Sequence, residues 1–379
     1  MEFTIERSAL AEAVAGAARS LPARSAVPVL GGLLLDARTG RLRVSGFDHE
    51  AFAETDAPAD TAAEGRVLVL GRRLADICKV LPEGRVACAL EGSRFTIEGG
   101  GTRFGLSTLP LEEYPALPAL PEIRGQVDAA EFAVAVGQVV VAAGRDDSLP
   151  VLTGVQLRAH GDRLTLSASD RYRYAVRSLP WKPEPDAAAD DLEAVLPGRR
   201  LTDLARAAAR SGTLRLGLNA GGGSGLVSFE AAGLRSALRL LEGRLPRYDK
   251  LFALDDPSVA LVERGPLGEA VRRVGVVAEP NSPIRLDFSA DGRLLLQAGY
   301  EDDVASQRIP AALTGAPEVS VAFNPQYLLD ALQTFTSDRI RFELLGPGQR
   351  VLLSGVPGDE DASREVTHRH LLMPVRQLA

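Results

Sequence analysis

Apolar positions along this chain follow two rhythms, and the same succession of rhythms occurs three times. Helical spacing runs over Ser8–Ser20, Asp128–Ala143 and Pro266–Ala278. A proline follows each segment, at Pro28, Pro150 and Pro283, and then an alternating stretch begins at Arg41, Arg163 and Arg293 (RLRVS, RLTLS, RLLLQ). Period-two alternation predicts strands and 3.6-residue spacing predicts helices. A second helical pattern opens near Gly71, Gly198 and Pro325, each after a short apolar run. Glycine or proline is a reasonable first residue there. Leu74, Leu201 and Leu328 are spaced by 127 residues, as are Asp76, Asp203 and Asp330. Self-similarity at a fixed spacing marks a unit used repeatedly.

The repeats predict three domains, at residues 1–122, 127–250 and 256–379. Proline-rich joints, Pro110–Pro121 and Pro246–Pro257, separate them, and Pro180–Pro185 reads as a surface loop inside the second. Arg85–Gly99 and Thr213–Ala231 read as hairpins, with the glycine-rich Gly221–Gly225 as a turn. The expected class is α+β, rich in antiparallel sheet, with two helices per domain.

The chain has 379 residues, more than one core usually holds, and 45% of them are hydrophobic. A net charge of −7 argues against a generally adhesive nucleic-acid binder. Its distribution qualifies that conclusion. Arg199, Arg206 and Arg210 lie on one helical stripe, and Leu201, Leu204 and Ala208 on another. Arg72 and Lys79 stand 127 residues before Arg199 and Arg206. The third repeat has Gln326 and Gln333 there, while its first helix carries Arg264, Arg272 and Arg273. No run approaches the roughly 20 apolar residues of a membrane span, and the N-terminus lacks a signal-peptide pattern. Cys78 and Cys88 have neither metal-ligand nor disulfide-framework spacing. These features predict a cytoplasmic protein with reduced thiols.

Catalytic chemistry is not legible. No phosphate loop or dinucleotide fingerprint follows a strand. His368 and His370 would need to share a face and gain further ligands to hold a metal. No catalytic residue, metal or cofactor is expected. Asp146 and Asp147 read as solvated loop carboxylates, and Asp76, Asp203 and Asp330 as structural helix residues. An enzyme on a triplicated α+β scaffold would need a cleft of clustered titratable groups.

Ten segments in order carry a resemblance: MEFTIER at the N-terminus, PVLGGLLLDA at Pro28, GFDHE at Gly46, TRFGLSTLPLEEYP at Thr102, LPVLTGVQL at Leu149, SASDRYRYAV at Ser167, EGRLPRYDKL at Glu242, NSPIRL at Asn281, FNPQYLLDAL at Phe323 and HLLMPVR at His370. Together the chain resembles the bacterial sliding clamp family, the beta subunit of DNA polymerase III, and its actinobacterial members in particular. The resemblance implies a head-to-tail homodimeric ring with helices around a central hole and sheets outside. It implies sequence-independent, topological binding of duplex DNA. It also implies short peptides of the polymerase III alpha subunit, the clamp loader and repair polymerases as partners, with no membrane.

Charge pattern and resemblance together put Arg24, Arg72, Arg73, Lys79, Arg199, Arg200, Arg206 and Arg210 toward DNA. By resemblance, the partner-peptide pocket is Leu152, Arg171, Tyr172, Arg173, Tyr174, Pro246, Leu251, Leu371, Met373, Pro374, Val375 and Arg376. The dimer interface is Phe104 and Leu106 facing Val276 and Val277. The family usually has an aliphatic residue where Tyr174 stands, and acidic residues near Ser306 and Gln307. These departures admit an alternative, a clamp paralogue with an altered, for instance inhibitor-resistant, pocket.

Overall fold

The computed structural model describes residues 1–22, 24, 26–185, 191–218, 225–247, 249–278, 282–300, 303–356 and 366–375. The glycine-rich turn at 221–224 and Arg376 lie outside the described residues. The chain is α+β, with antiparallel strand pairs throughout those sheets. Six α-helices are described: α1 (Arg7–Ala17), α2 (Gly71–Val80), α3 (Ala129–Val140), α4 (Gly198–Ala208), α5 (Arg264–Val274) and α6 (Pro325–Thr334). Amphipathic spacing explains them. In α2, Leu74, Ile77 and Cys78 are buried while Arg72, Arg73, Asp76 and Lys79 are exposed. Asn324 caps α6, its side chain accepting from the Gln326 and Tyr327 amides, and Pro325 takes the first helical position.

Contacts group the chain into two compact units. The first holds Met1–Ala133, Trp181–Leu192 and Arg199–Leu240. Its strands form one 14-stranded sheet, with a core that includes Phe3, Leu10, Leu33, Leu74 and Phe95. Strand Leu234–Arg239 pairs with strand Ala51–Pro58, from Leu238↔Ala51 to Leu234↔Thr55. Arg235 spans this seam to Glu54 at 2.5 Å, and Arg43 grips Asp56 at 2.8 Å. Cys78 and Cys88 are buried here, and desolvation pushes their thiols up to about 11 and about 12, which leaves them unreactive.

The second unit holds Val134–Pro180, Glu193–Gly198 and Leu241–Ala379. It contains a nine-stranded and a four-stranded sheet around Leu267, Phe288, Phe323, Leu328 and Phe342. Strand His368–Leu372 pairs with strand Arg173–Pro180, from Leu372↔Arg173 to His368↔Arg177. Strand pairing thus crosses each sequence joint. Contacts therefore divide the middle repeat between the two units, while its helices α3 and α4 and the strands around them keep the order seen in the other two repeats.

Candidate functional site

The second unit carries a cleft of about 460 Å³. Leu149 and Leu152 from the 3₁₀ turn region, the loop Asp170–Arg173, and Gln326, Tyr327 and Asp330 of α6 line it. An Asp-turn shapes the loop. Asp170 Oδ1 accepts the amides of Tyr172 and Arg173 at 3.0 Å each, and Arg171, the residue after Asp170, stands at φ 80°.

Arg173 is the hub of this cleft. Its side chain is 5% exposed and donates to Asp170 at 2.9 Å and to Asp330 at 2.7 Å. Its guanidinium lies 4.3 Å from the Tyr327 ring centre. Tyr172 stands 6.4 Å from Tyr327 and is 61% exposed, giving the cleft an aromatic wall. Asp330, one of the three aspartates spaced by 127, therefore holds a loop to a helix, whereas Asp76 pairs with Lys79 in the open.

Beside the cleft, Tyr174, Leu245, Phe252 and Leu371 form a buried apolar cluster, against which Leu152 and Leu251 pack. Pro374 is buried, while Met373 and Val375 expose 40% and 37% of their surface. The Met373 amide donates to the Tyr172 carbonyl, seating this last described segment on the loop. Tyr174 and Leu371 are 3% and 4% exposed and belong to this cluster, with Tyr174 also lining a small cavity beside Pro246.

His368 and His370 do share a face. Their Nε2 atoms lie 2.9 and 3.0 Å from Thr334 Oγ1, and Phe335 packs on both rings. Among the described residues no third ligand joins them. Burial holds His368 down to about 4 and His370 well below the usual range. A histidine depressed in the fold takes up protons more readily when unfolded. Stability is therefore full above about pH 6.5 and lost as pH falls toward 4. His368 is expected to cost about 2 kcal/mol between pH 7.5 and pH 5. Urea melts of wild type and His368→Gln at both pH values check this, since the variant should lack that part of the slope.

In the first unit, Arg24, Arg72, Arg73, Lys79, Arg199, Arg206 and Arg210 are exposed. Arg72 also donates to the Pro22 carbonyl. Arg200 departs from its DNA-facing expectation: it is half-buried, paired with Asp48 at 2.7 Å, and directed at the Arg19 and Ser20 carbonyls. Its neighbours in sequence gave no sign of a carboxylate 152 positions away.

The expected interface residues divide. Leu106 is 8% exposed and belongs to the first unit's core, and Phe104 packs partly on that core. Alternation puts both on one face, and that face points inward. Their strand, Thr102–Leu109, instead offers its edge. Residues 102–107 pair only with Arg94–Gly99 among the described residues. In the second unit, strand Asp303–Pro310 is also an edge, paired among the described residues only with Arg293–Tyr300. On it Val304 is 78% exposed, and Val276, in the 3₁₀ turn Gly275–Val277, is 81% exposed. Val277 is only partly buried against the core. Val304 escaped the sequence reading because it follows the acidic run Glu301-Asp302-Asp303; a lone valine in that setting was the available signal.

Comparison with known proteins gives consecutive matches. Residues 1–118 match the N-terminal domain of the DNA polymerase III beta subunit, 126–247 its central domain and 250–375 its C-terminal domain. The beta sliding clamp of Streptomyces coelicolor is 48% identical over 99% of each chain. The beta sliding clamp homolog GriR of Streptomyces muensis is 40% identical over 99% of each. A crystal structure of the Pseudomonas aeruginosa DNA polymerase III subunit beta is similar at 25% identity, with a TM-score of 0.90 over 100% of both chains. A sliding clamp from the same organism bound to griselimycin shares the fold, with a TM-score of 0.90 over 100% of both chains at 24% identity.

Proposed function

The chain belongs to the DNA polymerase III beta subunit family, and from that premise we propose that it is a non-catalytic sliding clamp that encircles duplex DNA and tethers the replicative polymerase. It acts in the cytoplasm as a head-to-tail homodimer, each copy contributing repeats at 1–122, 127–250 and 256–379. The polymerase III alpha subunit, the clamp loader and repair polymerases dock as short peptides in the cleft at Leu152, Tyr172 and Arg173.

The observation that carries this reading is a joint made twice within the chain and left open once. Leu234–Arg239 closes on Ala51–Pro58, and His368–Leu372 closes on Arg173–Pro180. Residues 102–107 and strand Asp303–Pro310 stand at the corresponding places of their hairpins, each with an edge that is unpaired among the described residues. Phe95↔Leu106 matches Val227↔Leu238, and Gly299↔Val304 matches Phe47↔Phe52. Carried over, that register sets Leu106 opposite Asp303 and Gly105 opposite Val304 of a second copy. An unpaired strand edge is a template for another chain. Such a head-to-tail contact forms a ring when its rotation closes.

Basic side chains on α2 and α4 in a net acidic chain suit weak, sequence-blind contact with phosphates. The test is retention on DNA after loading. The protein should stay on nicked circular DNA at high salt and slide off once the circle is cut. Equal, salt-sensitive loss from both forms would mean ordinary electrostatic binding.

A second reading rests on Tyr174, which fills space where the family usually has an aliphatic residue. In it the chain is a clamp paralogue that withstands a pocket-binding inhibitor. Titration with griselimycin separates the two. Weak binding by an intact dimer favours the paralogue, and tight binding removes it.

A further inference from the structure

Tyr174 is 3% exposed, and its hydroxyl donates to the Pro246 carbonyl at 2.9 Å. Its ring meets Phe252 edge-on at 5.9 Å and packs in the cluster with Leu245 and Leu371. On the hydroxyl side, only about 20 Å³ of space remains. The neighbouring cleft of about 460 Å³ is open. Leu152 belongs to both, packing on the cluster and lining the cleft. The apolar space beyond Leu152 is therefore taken by the chain's own phenol.

We infer that Tyr174 is a specificity-determining residue, a resident occupant of the inner half of the peptide pocket. The protein takes linear peptides gripped by the outer cleft and rejects ligands whose hold depends on an aliphatic group in the inner half. In the outer cleft an aromatic side chain meets Tyr172 and Tyr327, and a carboxylate meets Arg145 or Arg171. Admitting an aliphatic anchor means expelling the Tyr174 ring and leaving the Pro246 carbonyl without its donor. Rejection thus comes from an added cost for the wrong ligand. The inference rests on the peptide-docking role proposed above.

Its test uses a labelled linear acidic pentapeptide ending in Leu-Phe, with versions in which Leu or Phe is replaced by Ala. On wild type, loss of the phenylalanine should weaken binding at least about tenfold, and loss of the leucine less than about threefold. In Tyr174→Leu, loss of the leucine should cost at least about tenfold. Tyr174→Phe, which keeps the ring and drops the hydroxyl, should fall between. A wild type that already loses about tenfold without the leucine overturns the inference, and this arm decides alone if Tyr174→Leu does not fold. A full set of peptides that binds neither wild type nor variant overturns the docking role itself, and the inference with it.

Discussion

A Val276→Asp, Val304→Asp variant should be a folded monomer of 40.2 kDa in light scattering, where the wild type should be near twice that mass. Both valines are almost fully exposed in the single chain, so the substitutions disturb no core. Val304 also sits on the bare edge of Asp303–Pro310, where a charge blocks strand addition. Desolvating two carboxylates without partners in an interface costs several kcal/mol, enough to weaken dimers more than a hundredfold. Phe104→Asp is a poorer probe, because Phe104 packs partly on its own core and its loss would confound unfolding with dissociation. A doubly substituted chain that stays dimeric at submicromolar concentration would remove these edges from the interface.

Arg173→Ala should lower unfolding stability by about 3 kcal/mol. The arginine is 5% exposed, and its removal takes the cation from Asp170 and Asp330, whose side chains are 11% and 16% exposed. That leaves Asp170 its backbone amides and Asp330 the Gln326 side-chain amide. The Tyr327 ring loses its cation as well. Both walls of the cleft depend on that hub, so peptide affinity should drop at least about tenfold. Arg173→Lys should rescue little, since one ammonium cannot reproduce the fork that reaches both carboxylates. Urea melts read the stability, with exposed Arg199→Ala as a control expected within about 0.5 kcal/mol. A loss under about 1 kcal/mol in Arg173→Ala would show that the hub is not structural.

The elements were largely legible because their patterns are local. Leu74, Ile77 and Cys78 mark the buried stripe of α2, and Asn324-Pro325 marks the start of α6. Strand alternation through Phe104 and Leu106 was legible too, but not which face met the core. Both faces of that strand carry mixed residues, and only the packing of Phe95 against Leu106 decides it. The hub at Arg173 was named through the resemblance without its chemistry. Its partner Asp330 is 157 positions away, and no spacing rule links the two. Arg200 looked like its neighbour Arg199, yet Asp48 turns it inward.

Shared sheets also bear on how the molecule comes apart. Each half of the middle repeat is tied by a strand ladder to a different neighbour. Amide hydrogen exchange reports such groupings as cooperative blocks. Strand Leu234–Arg239 should then lose protection together with Ala51–Pro58, and Arg173–Pro180 together with His368–Leu372. Residues 127–250 expressed alone would bare two ladders at once and should aggregate instead of folding. The blocks that open together would then straddle the boundaries between the copies in the sequence.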